Sequence, residues 1–168
     1  MSIKENIEKL SKDIPQDVDI LAAAKTRSAE EIRATVEAGV NIIGENYIQE
    51  LEKRSNALDD INDKIEWHMI GHLQTNKINR ALRYCSCIQT LESIKKARAI
   101  NKRVPKANRD SVSVLIEINI GEQESKFGVE PDFSKISRLA QAIDDMEYLK
   151  LEGLMTIEPY GKNPAEIR

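Results

Sequence analysis

VDILAAAKTRSAEEIRATVEAGVNII, residues 18–43, contains one complete strand–helix–strand unit, and its reading decides the fold. Residues 18–24 are apolar with no partners at helical spacing, the pattern of a strand buried on both faces of a parallel sheet. Ser28 followed three residues later by Glu31 forms a capping box that opens a helix. Ile32 and Val36 then share one face of that helix, and Gly39 suits a left-handed stop. Residues 40–43 are a second apolar run. From about Glu45 onward, Ile48, Leu51 and Leu58 return to helical spacing.

The unit repeats along the chain. Ile65, Trp67 and Met69 alternate with Glu66 and His68, Gly71 breaks that strand, and residues 75–82 read as a short helix. Residues 85–89 form a compact strand, followed by a helix beginning with Leu91, Ile94 and Ala97 and running to about Arg103. Residues 112–120 are the clearest strand. After a loop at 122–128, Pro131 suits the first turn of a helix whose Phe133, Ile136, Leu139, Ala140 and Ile143 form one stripe, and residues 149–156 are a sixth strand.

Six strands alternating with five helices define an α/β fold with a parallel sheet. Right-handed crossovers leave an open doubly wound sheet or a (β/α) barrel. Neither G-x-G-x-x-G nor a Walker A loop follows the first strand, which favours a TIM-like (β/α) barrel. A closed eight-stranded barrel seldom has fewer than ~200 residues, whereas this chain has 168. The expectation is one domain, residues 1–168, with an incomplete set of βα units.

Composition agrees with a soluble globular domain: 40% hydrophobic, 32% charged, mean hydropathy -0.47. No run approaches the ~20 apolar residues of a membrane span, and the first twenty residues lack the apolar centre of a signal peptide. Cys85 and Cys87 stand too close for an unstrained disulfide. A reducing, cytoplasmic address is expected, with no membrane association. The net charge of -3 is unevenly spread: residues 61–110 carry 11 basic and 4 acidic side chains, +7, between flanks of -5 each. Such a segment suits either a solvated helix face or a phosphate-bearing partner.

In both architectures chemistry gathers beyond the carboxyl ends of the strands. Those positions hold Lys25, Glu45 with Asn46, His68 and His72, Gln89 with Thr90, Asn119, and Met155 with Thr156. Lys25 follows three alanines, whose small apolar walls would favour a free amine able to form a Schiff base with a carbonyl compound; the alternative is a lysine with its head in water. The spacing of His68 and His72 would offer two metal ligands on a helix but loses that meaning on a strand broken by Gly71. Cys85 and Cys87 have no partner pair elsewhere and read as buried thiols.

AAAKTRSAEEI (22–32), GENYIQEL (44–51), IEWHMIGHLQTNK (65–77), VLIEINIGEQESKFG (114–128) and LEGLMTI (151–157) together resemble the pyridoxal-phosphate homeostasis family, which is related to the N-terminal barrel of alanine racemase. The resemblance covers residues 19–157. It implies a TIM-like barrel of pyridoxal-phosphate fold type III that holds pyridoxal 5'-phosphate as a Schiff base on Lys25, with Asn46 bordering the ring and His72 and Asn119 at the same mouth. It further implies a role in buffering the cofactor and delivering it to apoenzymes, without robust turnover of a substrate.

Relatives usually continue through two more βα units carrying a phosphate cradle and an arginine near the pyridine nitrogen. Here the chain stops at Arg168. The expectations are therefore an unpaired edge at strand 149–156, weakened cofactor affinity, and dimerisation through the open side, where a complete barrel would be a monomer. Two other functions are weighed. A catalyst of alanine-racemase type would need a second proton carrier facing Lys25, for which Tyr47 or His72 could serve. A nucleic-acid module would use Lys95, Lys96, Arg98, Lys102 and Arg103, but the acidic flanks and the 4% aromatic content oppose it.

Overall fold

The structure, a computed structural model, describes residues 2–121 and 127–157. Positions 122–126 of the predicted loop and the tail to Arg168 lie outside the described residues. In chain order the elements are α1 (Ile3–Asp13), β1 (Leu21–Ala23), α2 (Ala29–Glu37), β2 (Ile42–Glu45), α3 (Ile48–Ala57), β3 (Glu66–Met69), α4 (Ile78–Tyr84), β4 (Cys87–Leu91), α5 (Ile94–Asn101), β5 (Val112–Ile118), α6 (Phe133–Asp144) and β6 (Leu149–Thr156).

All neighbouring strands pair in parallel, and the order in the sheet is the order in the chain, β1 to β6. A doubly wound sheet reverses direction at a switch point; this one never does. Successive right-handed crossovers in one direction place their helices on one face, which is how a sheet begins to curl into a barrel. That face is dry. Ile43, Trp67, Met69, Ile88, Val114 and Ile116 project from it into a core with Leu51, Ile78, Leu82, Ile100, Leu139 and Ile143 of the helices. Each such buried side chain contributes roughly 1.5–3 kcal/mol.

The opposite face is polar. Gln89 donates from Nε2 to His68 Nδ1 at 2.7 Å, and His68 Nε2 lies 2.9 Å from Glu66 Oε1. An amide nitrogen can only donate, so this arrangement places the ring proton on Nε2 and directs it at the carboxylate. Among the described residues β1 and β6 are the two edges, and the barrel is not closed by them.

The capping box at Ser28 forms as expected: Glu31 N donates to Ser28 Oγ at 3.2 Å and Ser28 N to Glu31 Oε2 at 2.8 Å. Gly39 takes φ 97°. Four boundaries differ from expectation. β1 is confined to three residues because Val18 turns back on Pro15 and stays 52% exposed. β2 extends through Glu45, so α3 starts only at Ile48. Cys85 caps α4 instead of opening a strand. Asp132 caps α6 with an acceptor for Lys135 N, which leaves Pro131 outside its first turn and Phe133 exposed. Helix α1 was not anticipated; it buries no side chain and is framed by its own Ser2–Glu5 capping box.

Candidate functional site

A cavity of about 440 Å³ opens at the carboxyl ends of the strands. Its walls include Asn46 after β2, Gly71 and His72 after β3, Glu117 and Asn119 at the end of β5, and Phe127. Two glycines shape it by permitting close approach of backbones. A Cβ on Gly71 would sit 2.6 Å from Asn46 Cα, and the Gly71 carbonyl is fixed by Thr90 Oγ1, which donates to it at 2.8 Å. Gly128, at φ 117°, lies where a Cβ would meet Asn119 N at 2.8 Å. The chain therefore returns against β5, with Val129 N donating to the Glu117 carbonyl at 2.7 Å and Asn119 N to the Val129 carbonyl at 2.9 Å.

Lys25 lies two residues beyond the Ala23–Gly44 pair, and Asn46 lies two beyond Gly44 on the neighbouring strand. The paired register ends at Ala23–Gly44; Asn46 follows β2, and Lys25 stands on the turn that follows β1. The turn carrying it is closed by Arg27 N donating to the Ala24 carbonyl at 2.9 Å, and Thr26 adopts φ 66°, a left-handed conformation uncommon for threonine. Arg54 of α3 donates from Nε to the Arg27 carbonyl at 3.0 Å while its guanidinium pairs with Glu45. Glu45 is 1% exposed. Burial holds its carboxyl above the usual range despite the opposing pull of Arg54.

The dry surroundings expected for Lys25 are not formed by the described residues. Lys25 is exposed and lies outside the cavity walls. Of the three preceding alanines, Ala24 is buried in the helix-side core and Ala22 packs partly against it, so they do not build a wall around the amine. The other three expected site residues, Asn46, His72 and Asn119, all line the cavity.

Sequence reasoning missed an ionic cluster behind the cavity. Lys96 of α5, 6% exposed, sits with Nζ 2.6 Å from Glu92 Oε1 and 3.5 Å from His72 Nδ1. Glu117 faces the cavity with 8% exposure, and its Oε2 has no hydrogen-bond partner among the described residues. Burial, and then the Glu92 charge, push its carboxyl upward against the pull of Lys96. The His72 ring stacks on Phe127, with centroids 3.7 Å apart and planes within 16°. The signal for Lys96 was present in the sequence: Glu92, Lys96 and Ile100 recur every four residues, on a stripe that Ile100 buries.

Other expected candidates serve the scaffold. His68 and Gln89 bond to each other on the polar face, and Thr156 Oγ1 donates to the Ile118 carbonyl at 2.9 Å. No group of three potential metal ligands occurs among the described residues. Burial pushes the Cys85 and Cys87 thiols up to about 12. Both are free and buried, as expected, with Cys85 at the end of α4 and Cys87 at the start of β4. No helix among the described residues is long and apolar enough to cross a membrane.

A parallel sheet of six strands wound in chain order, with a ligand-sized cavity at the carboxyl ends of its strands, matches the frame of a known barrel family. The family model described as "Alanine racemase, N-terminal domain" matches residues 1–167, and the chain belongs to this family. Within it, the chain is a member of the pyridoxal phosphate homeostasis proteins. It is 40% identical over 149 residues to the protein of that name from Aquifex aeolicus, covering 89% of this chain and 63% of the relative. It is 35% identical over 167 residues to that of Haemophilus influenzae, covering 98% and 69%. The chain thus spans roughly two thirds of these relatives' length. Among solved structures, PipY of Synechococcus elongatus with PLP bound superposes with a TM-score of 0.89 at 25% identity, covering 99% of this chain and 75% of that one.

Proposed function

We propose that this chain binds pyridoxal 5'-phosphate at the strand mouth, covalently through Lys25, and acts in homeostasis of that cofactor. The observation that carries the reading is the cavity at the carboxyl ends of the strands, walled by Asn46, His72 and Asn119, with Lys25 on the turn that follows β1. The residues present fit such a group. A cavity of about 440 Å³ falls within the size of small-molecule sites, roughly 300–1,000 Å³. The stacked His72 and Phe127 give it one flat wall, Asn46 and Asn119 give polar edges, and Lys77 adds a cation.

Bound, the cofactor supplies an aldehyde carbon that takes up a primary amine with loss of one water. The protein's own part is positioning. Arg54 fixes the Lys25 turn through the Arg27 carbonyl, and the contact of Gly71 with the Asn46 backbone sets the width of the mouth. The PLP-bound PipY supports the cofactor assignment, and the named relatives support homeostasis, with delivery to apoenzymes as the outlet. The free, buried thiols are compatible with a cytoplasmic address. Within the basic segment, Lys96 is buried against Glu92, Arg80 pairs with Glu52, and Arg109 bonds the Leu82 and Cys85 carbonyls, while Lys95, Arg98 and Lys102 are exposed.

Titration of the purified chain with pyridoxal 5'-phosphate, followed by absorbance, tests the proposal. A yellow band that survives gel filtration is expected, and Lys25→Ala should abolish it. An undiminished band in the variant contradicts the assignment. Incubation with alanine or serine separates holding from catalysis, since only turnover would give Tyr47 or His72 the role of a second proton carrier.

A further inference from the structure

We propose that Lys96 is a positioning residue that fixes His72 as a neutral imidazole protonated on Nε2, so that the cavity offers an N–H to an acceptor oxygen of its ligand. An ammonium has only donors. With Nζ 3.5 Å from His72 Nδ1, that nitrogen must present its lone pair, and the remaining proton sits on Nε2. Glu92 holds the Lys96 ammonium in place at 2.6 Å, and Phe127 stacked on the ring prevents it from turning over. The side chain that would otherwise be the mouth's pH-sensitive cation becomes a fixed donor. It matches a phosphate, phenolate or carboxylate oxygen and repels nothing by charge.

The titratable groups around the ring come from several elements: Lys96 of α5 and Glu92 just before it, Glu117 of β5, and Lys77 and Tyr47 across the cavity. Burial first, and then Lys96, hold His72 below its ordinary value, against the pull of Glu92. The chain has only His68 and His72, so long-range ¹H–¹⁵N correlation spectra of the histidine-labelled chain resolve both rings, with His68→Gln giving the assignment.

The expected wild-type result is an Nε2–H tautomer for His72 at pH 7 and a titration midpoint below that of free histidine. Lys96→Met should raise the midpoint by about one pH unit, since Glu92 then faces the ring without its partner. Lys96→Arg should restore the low midpoint. The double variant Lys96→Met/Glu92→Gln removes both charges without stranding a carboxylate and should admit a minor Nδ1–H population that the ammonium at Nδ1 excludes in the wild type. An Nδ1–H tautomer in the wild type, or a folded double variant with an unchanged tautomer and midpoint, overturns the proposal. The readout needs no cofactor, so its failure leaves the pyridoxal-phosphate reading standing, and a failure of cofactor binding leaves this one standing.

Discussion

Glu117 puts into the cavity wall a carboxylate oxygen without a partner among the described residues, and the cost of that depends on pH. Its carboxyl is held above the ordinary 4.5 by burial and by Glu92. The folded state therefore keeps the proton longer than the unfolded chain does. The favourable contribution is complete below about 4.5 and is lost as pH rises through the folded-state value. Glu117→Gln should accordingly stabilise the protein at pH 7 by about 1 kcal/mol, with the gain vanishing near pH 4; urea unfolding at the two pH values measures both. The same dry surroundings disarm the thiols. With Cys85 and Cys87 pushed up to about 12 by burial, the folded chain should take up no iodoacetamide at pH 8, whereas chain unfolded in urea should take up two equivalents.

At the scale of elements, the mouth depends on two contacts between neighbouring βα units. Arg54→Met removes the partner of Glu45 and leaves a carboxylate of 1% exposure alone, a loss on the order of 3–5 kcal/mol. It also frees the Arg27 carbonyl, so cofactor affinity should fall along with thermal stability. The stability loss should shrink as pH falls, because Glu45 then takes up a proton. Gly71→Ala drives a methyl into the Asn46 backbone, which is part of a strand end and cannot swing aside as a side chain would. Overpacking of that kind costs about 1–3 kcal/mol, and calorimetry should show a lower Tm together with weakened cofactor binding.

Across the whole molecule, the repeating unit was legible because each strand is a short apolar run and each helix start carries its own signal, as at Ser28–Glu31. The chain-order sheet followed from that repetition together with the absence of a nucleotide loop after β1. Element ends were read less well, since the capping of α4 by Cys85 and of α6 by Asp132 is settled by tertiary packing and not by periodicity. Asn46, His72 and Asn119 line the cavity, and their place at the strand ends is legible because a strand's carboxyl end fixes position without knowledge of contacts. The surroundings of Lys25 and the burial of Lys96 were not legible. Three alanines look like apolar walls in a sequence, yet Ala24 turns into the helix-side core, and a lysine within a basic run looks solvated until its stripe proves buried.

In the proposed function the exposed amine of Lys25, on the turn that follows β1, is the one that takes the cofactor. Borohydride reduction of the protein mixed with pyridoxal 5'-phosphate, followed by proteolysis and mass mapping, tests it most directly. A stoichiometric adduct on the peptide containing Lys25 is expected. An adduct confined to Lys77 or Lys96, with Lys25 unmodified, would contradict it.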